Sequence, residues 1–417
     1  MSIIPKTKLR MKRISTSPPP GSVNHSLLSA LLVLCILLAW PVNSTQAETL
    51  DIVYTHENPA FSELLKTFAK QSNHKVMTTW VDQSDLKSRM VDLDNIRDVP
   101  DVIITPADSL GMSGTRWLMT IPDNWMNAEY SSKVLETVTI DQQILGLPIV
   151  QGNHLLLYYN KSLAPEGAAT WQQLMAYADQ LPAGTQLIRW SFMEMYWFIP
   201  FITAFGELPV VDHEPNLDTS AMKAALNFNW QLASQGLVDR SCDYTCAEYQ
   251  FKNGQLAFTI NGIWAYESFA ETLGDDFGVM ALPAINNQPM RPYFSTIVAT
   301  FPKANMSDSK REALEAFAGF IQSNDFQQQL WLDMREIPAV ESVLMAIRAS
   351  ADAETQNLLS TLETTVPMSS HENMTIIWEV ILKGYLRYGS GIWNAERSTT
   401  YMQQLAKQHI SRLAEKK

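Results

Sequence analysis

Hydrophobic and polar positions alternate over residues 50–54, and the run predicts a short strand. Asn58-Pro59 then supply a helix cap and a first-turn proline, and Phe61, Leu64, Leu65 and Phe68 recur at i, i+3, i+4 and i+7, one buried stripe of a helix. A β-rich run at 75–81, a helical stretch and the buried strand at Pro100 to Thr105 follow. Strand, helix, strand, helix, strand at this spacing predicts a parallel α/β sheet, with ligands collecting at the carboxyl ends of its strands, near 55–58 and 105–109. Further on come an apolar run at 145–159, a helix over 171–181 capped by Thr170, helices over 195–205 and 220–235, a strand over 256–261 and a mostly helical pattern from Arg311. No linker rich in Pro, Gly or Ser divides the chain, so two domains would be joined by more than one crossing, as in a hinge.

One segment stands apart from this pattern. Residues 27–40 are apolar, follow Lys6, Lys8, Arg10, Lys12 and Arg13, and precede Thr45-Gln46-Ala47. That order predicts a secretory signal over 1–47, cleaved after Ala47, with Met1 or Met11 as the start. A retained anchor is the alternative, although the stretch is short for a membrane span. Of the 417 residues, 46% are hydrophobic, enough for two compact domains. The formal charge is −12, and without the basic leader it becomes −17. So acidic a surface repels phosphate backbones, which excludes a nucleic-acid partner. Of three cysteines, Cys35 leaves with the leader. Cys242 and Cys246 remain in Cys-Asp-Tyr-Thr-Cys, which in an oxidising compartment reads as a local disulfide rather than a metal site, since no nearby His completes a ligand set.

Catalytic signatures are sparse: there is no G-x-S-x-G, H-E-x-x-H or P-loop, and no two histidines stand at helical metal-ligand spacing. No cofactor is implied. A glycosidase needs only two carboxylates placed by the fold, for instance Glu194 with Asp108 or Glu267, so an enzyme stays a reading of the sequence. Aromatics are the positive signal. Tyr196-Trp197 follow Glu194, Trp264-Ala265-Tyr266-Glu267 follow Asn261-Gly262, and Trp378 precedes Glu379. A sugar ring, apolar on its face and hydroxylated on its rim, is held by flat rings together with carboxylates and amides.

Residues 251–264, FKNGQLAFTINGIW, resemble a signature of the bacterial extracellular solute-binding proteins of the maltose-binding class. Leu145-Gly146-Leu147-Pro148, Leu157 to Leu163, Thr170 to Leu174, Glu194-Met195-Tyr196 with Pro200 and Gly206, and Ala281-Leu282-Pro283 occur in that family's order, and Pro100 to Ile104 resemble its third strand. The resemblance implies an α/β, two-lobed periplasmic binding protein fold of type II. Each lobe would be a mixed, mainly parallel sheet flanked by helices. The N-terminal lobe would comprise 48–151 and 299–336, and the C-terminal lobe 152–298 and 337–417. It further implies a monomeric, non-enzymatic periplasmic subunit that closes on an oligosaccharide of the maltose or maltodextrin type and delivers it to the permease subunits of an ABC importer. A sensor descendant signalling through a membrane partner is the alternative.

By the same resemblance Tyr196, Trp264 and Trp378 match rings that stack on glucose units, Glu194 matches a carboxylate on the hydroxyl rim, and Trp197 and Tyr244 match further aromatic contacts. Asp108 matches an acidic hydroxyl-binding position, and His56 and Glu57 replace an Asp-Lys pair. Ser109 stands where an arginine is expected and Thr105 where a stacking tryptophan is; near 151–153 a glutamate is missing and one residue is inserted. Each lost contact implies about 1–3 kcal/mol, roughly tenfold to over a hundredfold in affinity.

Overall fold

The computed structural model describes residues 47–56, 58–91, 99–303 and 307–415. The segment read as a secretory signal, and Glu57, lie outside the described residues. Two sheets organise the rest. The first contains β1 (Thr49–Tyr54), β2 (Lys75–Trp80), β3 (Val102–Pro106) and β4 (Leu147–Gly152). The second contains β5 (Leu155–Asn160), β6 (Gln186–Arg189), β7 (Leu256–Gly262) and β8 (Phe277–Met280), and the chain then returns to the first through β9 (Tyr293–Thr300).

In the first sheet the order is β2-β1-β3-β9-β4, with β1 parallel to both β2 and β3 and β9 antiparallel to β3 and β4. In the second the order is β8-β5-β7-β6. The expectation of a mainly parallel sheet fails there: β5 is antiparallel to β7 and β8, and only β7 with β6 is parallel. The cause is the joint between the sheets. Only Asn153 and His154 separate β4 from β5, with Gly152 at φ 94° and Asn153 at φ 39°, left-handed values that turn the chain directly into the second sheet. β5 therefore starts at the joint and β7, running back against it, ends there, with Gly262 opposite Leu155.

Local chemistry explains the element ends. Asn58 accepts from the Ala60 amide and Pro59 opens helix Pro59–Lys66, which buries Phe61, Leu64 and Leu65. Phe68, read as the fourth member of that stripe, lies in a separate turn of helix, Phe68–Gln71, because the Thr67 hydroxyl donates back to the Leu64 carbonyl (2.7 Å) and the helix stops. Thr170 and Gln173 form a capping box on helix Trp171–Ala176, which ends five residues before the reading from pattern placed it.

Separate cores back the two sheets. Leu50, Ile52, Phe61, Ile104, Ile149 and Phe317 pack against the first. Trp171, Trp190, Phe198, Phe201 and Tyr385 pack on one side of the second, and Tyr158, Phe251, Phe269 and Phe277 on the other. Each large ring contributes about 1.5–3 kcal/mol by leaving water. Cys242 and Cys246 are bridged, with Cα atoms 5.3 Å apart. Among the described residues no helix is long and apolar enough to cross a membrane.

Candidate functional site

Because β7 ends at the joint, the residues after it are delivered between the lobes. The Ile263 amide donates to the His154 carbonyl (3.0 Å), and Trp264 follows in a single helical turn. A Cβ on Gly262 would lie 2.1 Å from the Trp264 ring, so only glycine lets the indole fold back over the strand end. Trp264 Nε1 donates to the Tyr244 hydroxyl (3.2 Å). Tyr244 is the first residue of helix Tyr244–Lys252, capped by Asp243 and flanked by the bridged cysteines, so the disulfide fixes the end of the helix that carries this ring.

Helix Met195–Thr203 brings the rest. Trp197 Nε1 donates to the Ile260 carbonyl (2.8 Å), and the Tyr196 hydroxyl donates to the Asn153 carbonyl at the joint. Ring centroids of Tyr196 lie 6.4 Å from Trp264 and 6.3 Å from Trp378, and those of Trp197 lie 6.2 Å from both Tyr244 and Trp264. Trp378 reaches the group from helix Asn373–Gly389. The five rings named from the sequence thus form one cluster. Tyr293, missed in the sequence, joins it edge-on to Trp378 at 5.9 Å. Glu194 stands at the N-terminus of the helix, exposed, its carboxylate making no hydrogen bond to any described residue.

On the first sheet, β1 and β3 are parallel neighbours, so their carboxyl ends lie side by side. Asp108 follows β3 in a short turn; its Oδ2 accepts from Lys87 Nζ (2.7 Å) while Oδ1 is buried without a partner. Burial pushes the Tyr196 phenol well above its ordinary pKa, and the charges of Asp108 and Tyr293 add to the effect. His56 Nε2 meets Glu336 Oε1 at 2.9 Å, and its Nδ1 accepts from the Asn58 amide, which places the ring proton on Nε2. Thr105 and Ser109 are wholly buried, with their hydroxyl oxygens 3.2 Å apart, so neither supplies the ring or guanidinium that the family pattern has there.

Asn58 Nδ2 donates to Glu267 Oε2 (3.2 Å), linking the loop after β1 to the helix after Trp264. Burial raises the Glu267 pKa, with Asn58 opposing. Lys87 and Glu336 were not recognised from sequence. Lys87 lay in a stretch read only as helical, and Glu336 is 280 residues from His56, a pairing that no local pattern signals. Among the described residues no group of three or more His, Cys, Asp or Glu is placed to hold a metal ion.

Residues 63–357 match the family model described as bacterial extracellular solute-binding protein. The chain is 24% identical over 379 residues to the maltooligosaccharide ABC transporter solute-binding lipoprotein of Streptococcus pneumoniae strain R6, covering 85% of this chain and 88% of that protein. It is 22% identical over 380 residues to the maltodextrin-binding protein MdxE of Bacillus subtilis strain 168, with the same coverage. Its fold is similar to the maltose/maltodextrin-binding domain MalE from Bdellovibrio bacteriovorus bound to maltotriose, with TM-score 0.77 and 20% identity, covering 87% of this chain and all of the other.

Proposed function

Since the chain belongs to the bacterial extracellular solute-binding protein family, we propose that it is the carbohydrate-binding subunit of an ABC importer, taking a maltooligosaccharide-like ligand between its lobes and presenting it to permease subunits. The observation that carries this reading is the ring cluster of Tyr196, Trp197, Tyr244, Trp264 and Trp378 beside the unengaged Glu194 carboxylate. Ring faces and a free acceptor are what a hydroxylated ring needs. The names of the relatives point to the same ligand class.

In this reading the leader over 1–47 is removed after Ala47 and the protein acts in the periplasm as a monomer without catalysis. The lobes are 48–151 with 299–336, and 152–298 with 337–417, rotating about the joint at 152–154. Sugar docks first on the aromatic side. Closure then brings Asp108, His56 and the loop after β1 onto its other face, and ligand favours the closed state only by its extra affinity for it. Thr105 and Ser109, turned into the interior, make the first-sheet side poorer in contacts than the aromatic side. Calorimetric titration with maltotriose tests the proposal: saturable binding to one site that Trp264→Ala weakens supports it, and heat changes indistinguishable from dilution refute it.

A further inference from the structure

A second aromatic basin lies apart from the Trp264 cluster. Helix Ser220–Ser234, Arg240 and the turn joining helices Asn373–Gly389 and Ala395–Ala414 border an open cavity of about 660 Å³, walled in part by Trp230, Tyr388, Trp393, Asn227, Gln231 and Arg240. None of these residues belongs to the site between the lobes. The basin is closely built. A Cβ on Gly389 would lie 2.0 Å from the Trp230 ring, so the indole rests flush on the main chain there. Its Nε1–H is shielded from solvent and has no acceptor. The Tyr388 hydroxyl donates to Asn227 Oδ1 (2.7 Å), which leaves the amide Nδ2 of Asn227 unengaged.

Arginines stack on the rings of this basin. The Arg240 guanidinium lies 5.5 Å from the Trp230 ring centroid, and those of Arg387 and Arg397 lie 5.3 and 4.5 Å from that of Trp393. Among the described residues none of the three arginines pairs with a carboxylate. Arg240 lines the basin itself, while Arg387 and Arg397 reach it only through the Trp393 ring. A guanidinium stacked on a ring keeps its in-plane N–H fork available to a carboxylate, as at Arg240, whereas Arg387 Nη1 already donates to the Lys383 carbonyl (3.0 Å).

We infer that this basin is a second ligand site, and that its ligand is an acidic sugar of one or two rings. The carboxylate meets Arg240, the hydroxyls meet the Asn227 and Gln231 amides, and the apolar ring face lies against the aromatic wall. The volume falls within the range of about 300–1,000 Å³ usual for small-molecule sites. An inorganic anion would leave the aromatic wall unused, and a neutral sugar would leave Arg240 unused. The inference does not rest on the maltooligosaccharide reading of the interlobe site.

The test is calorimetric titration of the full secreted chain with digalacturonate, with galactobiose, benzoate and sulfate as probes of ring, aromatic acid and bare anion. Digalacturonate is expected to bind at least about tenfold more tightly than the other three, and to lose at least about tenfold in Arg240→Gln. The same loss is expected in Ser234→Trp, which fills the cavity from an exposed position and leaves the core intact. Binding is expected to persist in Trp264→Ala. Maltotriose, run in parallel, reports on the interlobe site alone, so failure of one reading is visible without the other. The inference is overturned if digalacturonate does not bind, if Arg240→Gln leaves its affinity unchanged, if Trp264→Ala abolishes it, or if any of the other three probes binds as tightly.

Discussion

The two faces of the proposed interlobe site are built by opposite means. On the second-sheet side the rings are held by the core behind them, and their polar tips are spent on their own lobe or the joint: Trp197 on Ile260, Tyr196 on Asn153, Trp264 on Tyr244. Their faces are fixed before any ligand arrives, and a ligand has nothing to break. On the first-sheet side the polar groups are largely engaged already, Lys87 with Asp108 Oδ2, His56 with Glu336, and Asn58 across the junction with Glu267. A ligand there exchanges one hydrogen bond for another, and the net gain of each exchange is about 1 kcal/mol. Affinity should therefore come from the aromatic side, with the polar side deciding which sugar is accepted and whether the lobes close.

The largest effect expected from this contrast is on Trp264→Ala, which should weaken maltotriose about a hundredfold in calorimetry. An equal loss on Asp108→Asn would erase the distinction between the faces. Next comes the joint that both faces share. His154 is fully buried, its Nε2 2.7 Å from the Thr361 hydroxyl, and burial, aided by the charge of Lys133, pushes its pKa down to about 3. A base whose folded value lies below its unfolded value of 6.5 leaves stability complete above pH 6.5 and erodes it as pH falls toward 3, because the unfolded chain takes the proton first. Urea unfolding at pH 7 and pH 5 should differ by about 2 kcal/mol from this residue alone, and His154→Gln should flatten that difference. An unchanged slope in the variant would remove His154 from the account.

A smaller effect is expected from the bridge beside Tyr244. Cys242→Ser with Cys246→Ser should lower unfolding free energy by about 1–2 kcal/mol, the low end for a short loop, while costing maltotriose affinity less than Trp264→Ala does. A larger loss of affinity than of stability would mean that the aromatic side depends on the bridge more than on its core. The smallest effect belongs to Asp108→Asn, which should weaken binding by less than about tenfold and leave Lys87 without its ion pair.

Much of this was legible in the chain. The Asn58-Pro59 start, the Thr170 cap and strands β1 to β3 follow from local rules, and the buried positions of β1 and β3 match their apolar residues, whereas β2 is largely exposed and β9 was not read from the sequence. The direction of pairing in the second sheet was not. β7 is buried at every position, and such a strand reads alike whether its neighbours are parallel or antiparallel. The aromatic cluster was accessible through resemblance, because its residues sit in recognisable runs. The ion pairs opposite were not, since Lys87 and Asp108 lie 21 residues apart on separate elements and charge alone does not announce a partner.

Gly262 carries a consequence for how the proposed sugar ligand would be bound. With a Cβ there the Trp264 indole would collide, so the absence of a side chain is what holds the ring in one pose over the end of β7. A stacking side chain that must choose a rotamer on binding gives up about 0.5–1.5 kcal/mol of conformational entropy at that moment. Here that freedom was surrendered during folding, and a ligand meets a ring that has already been placed.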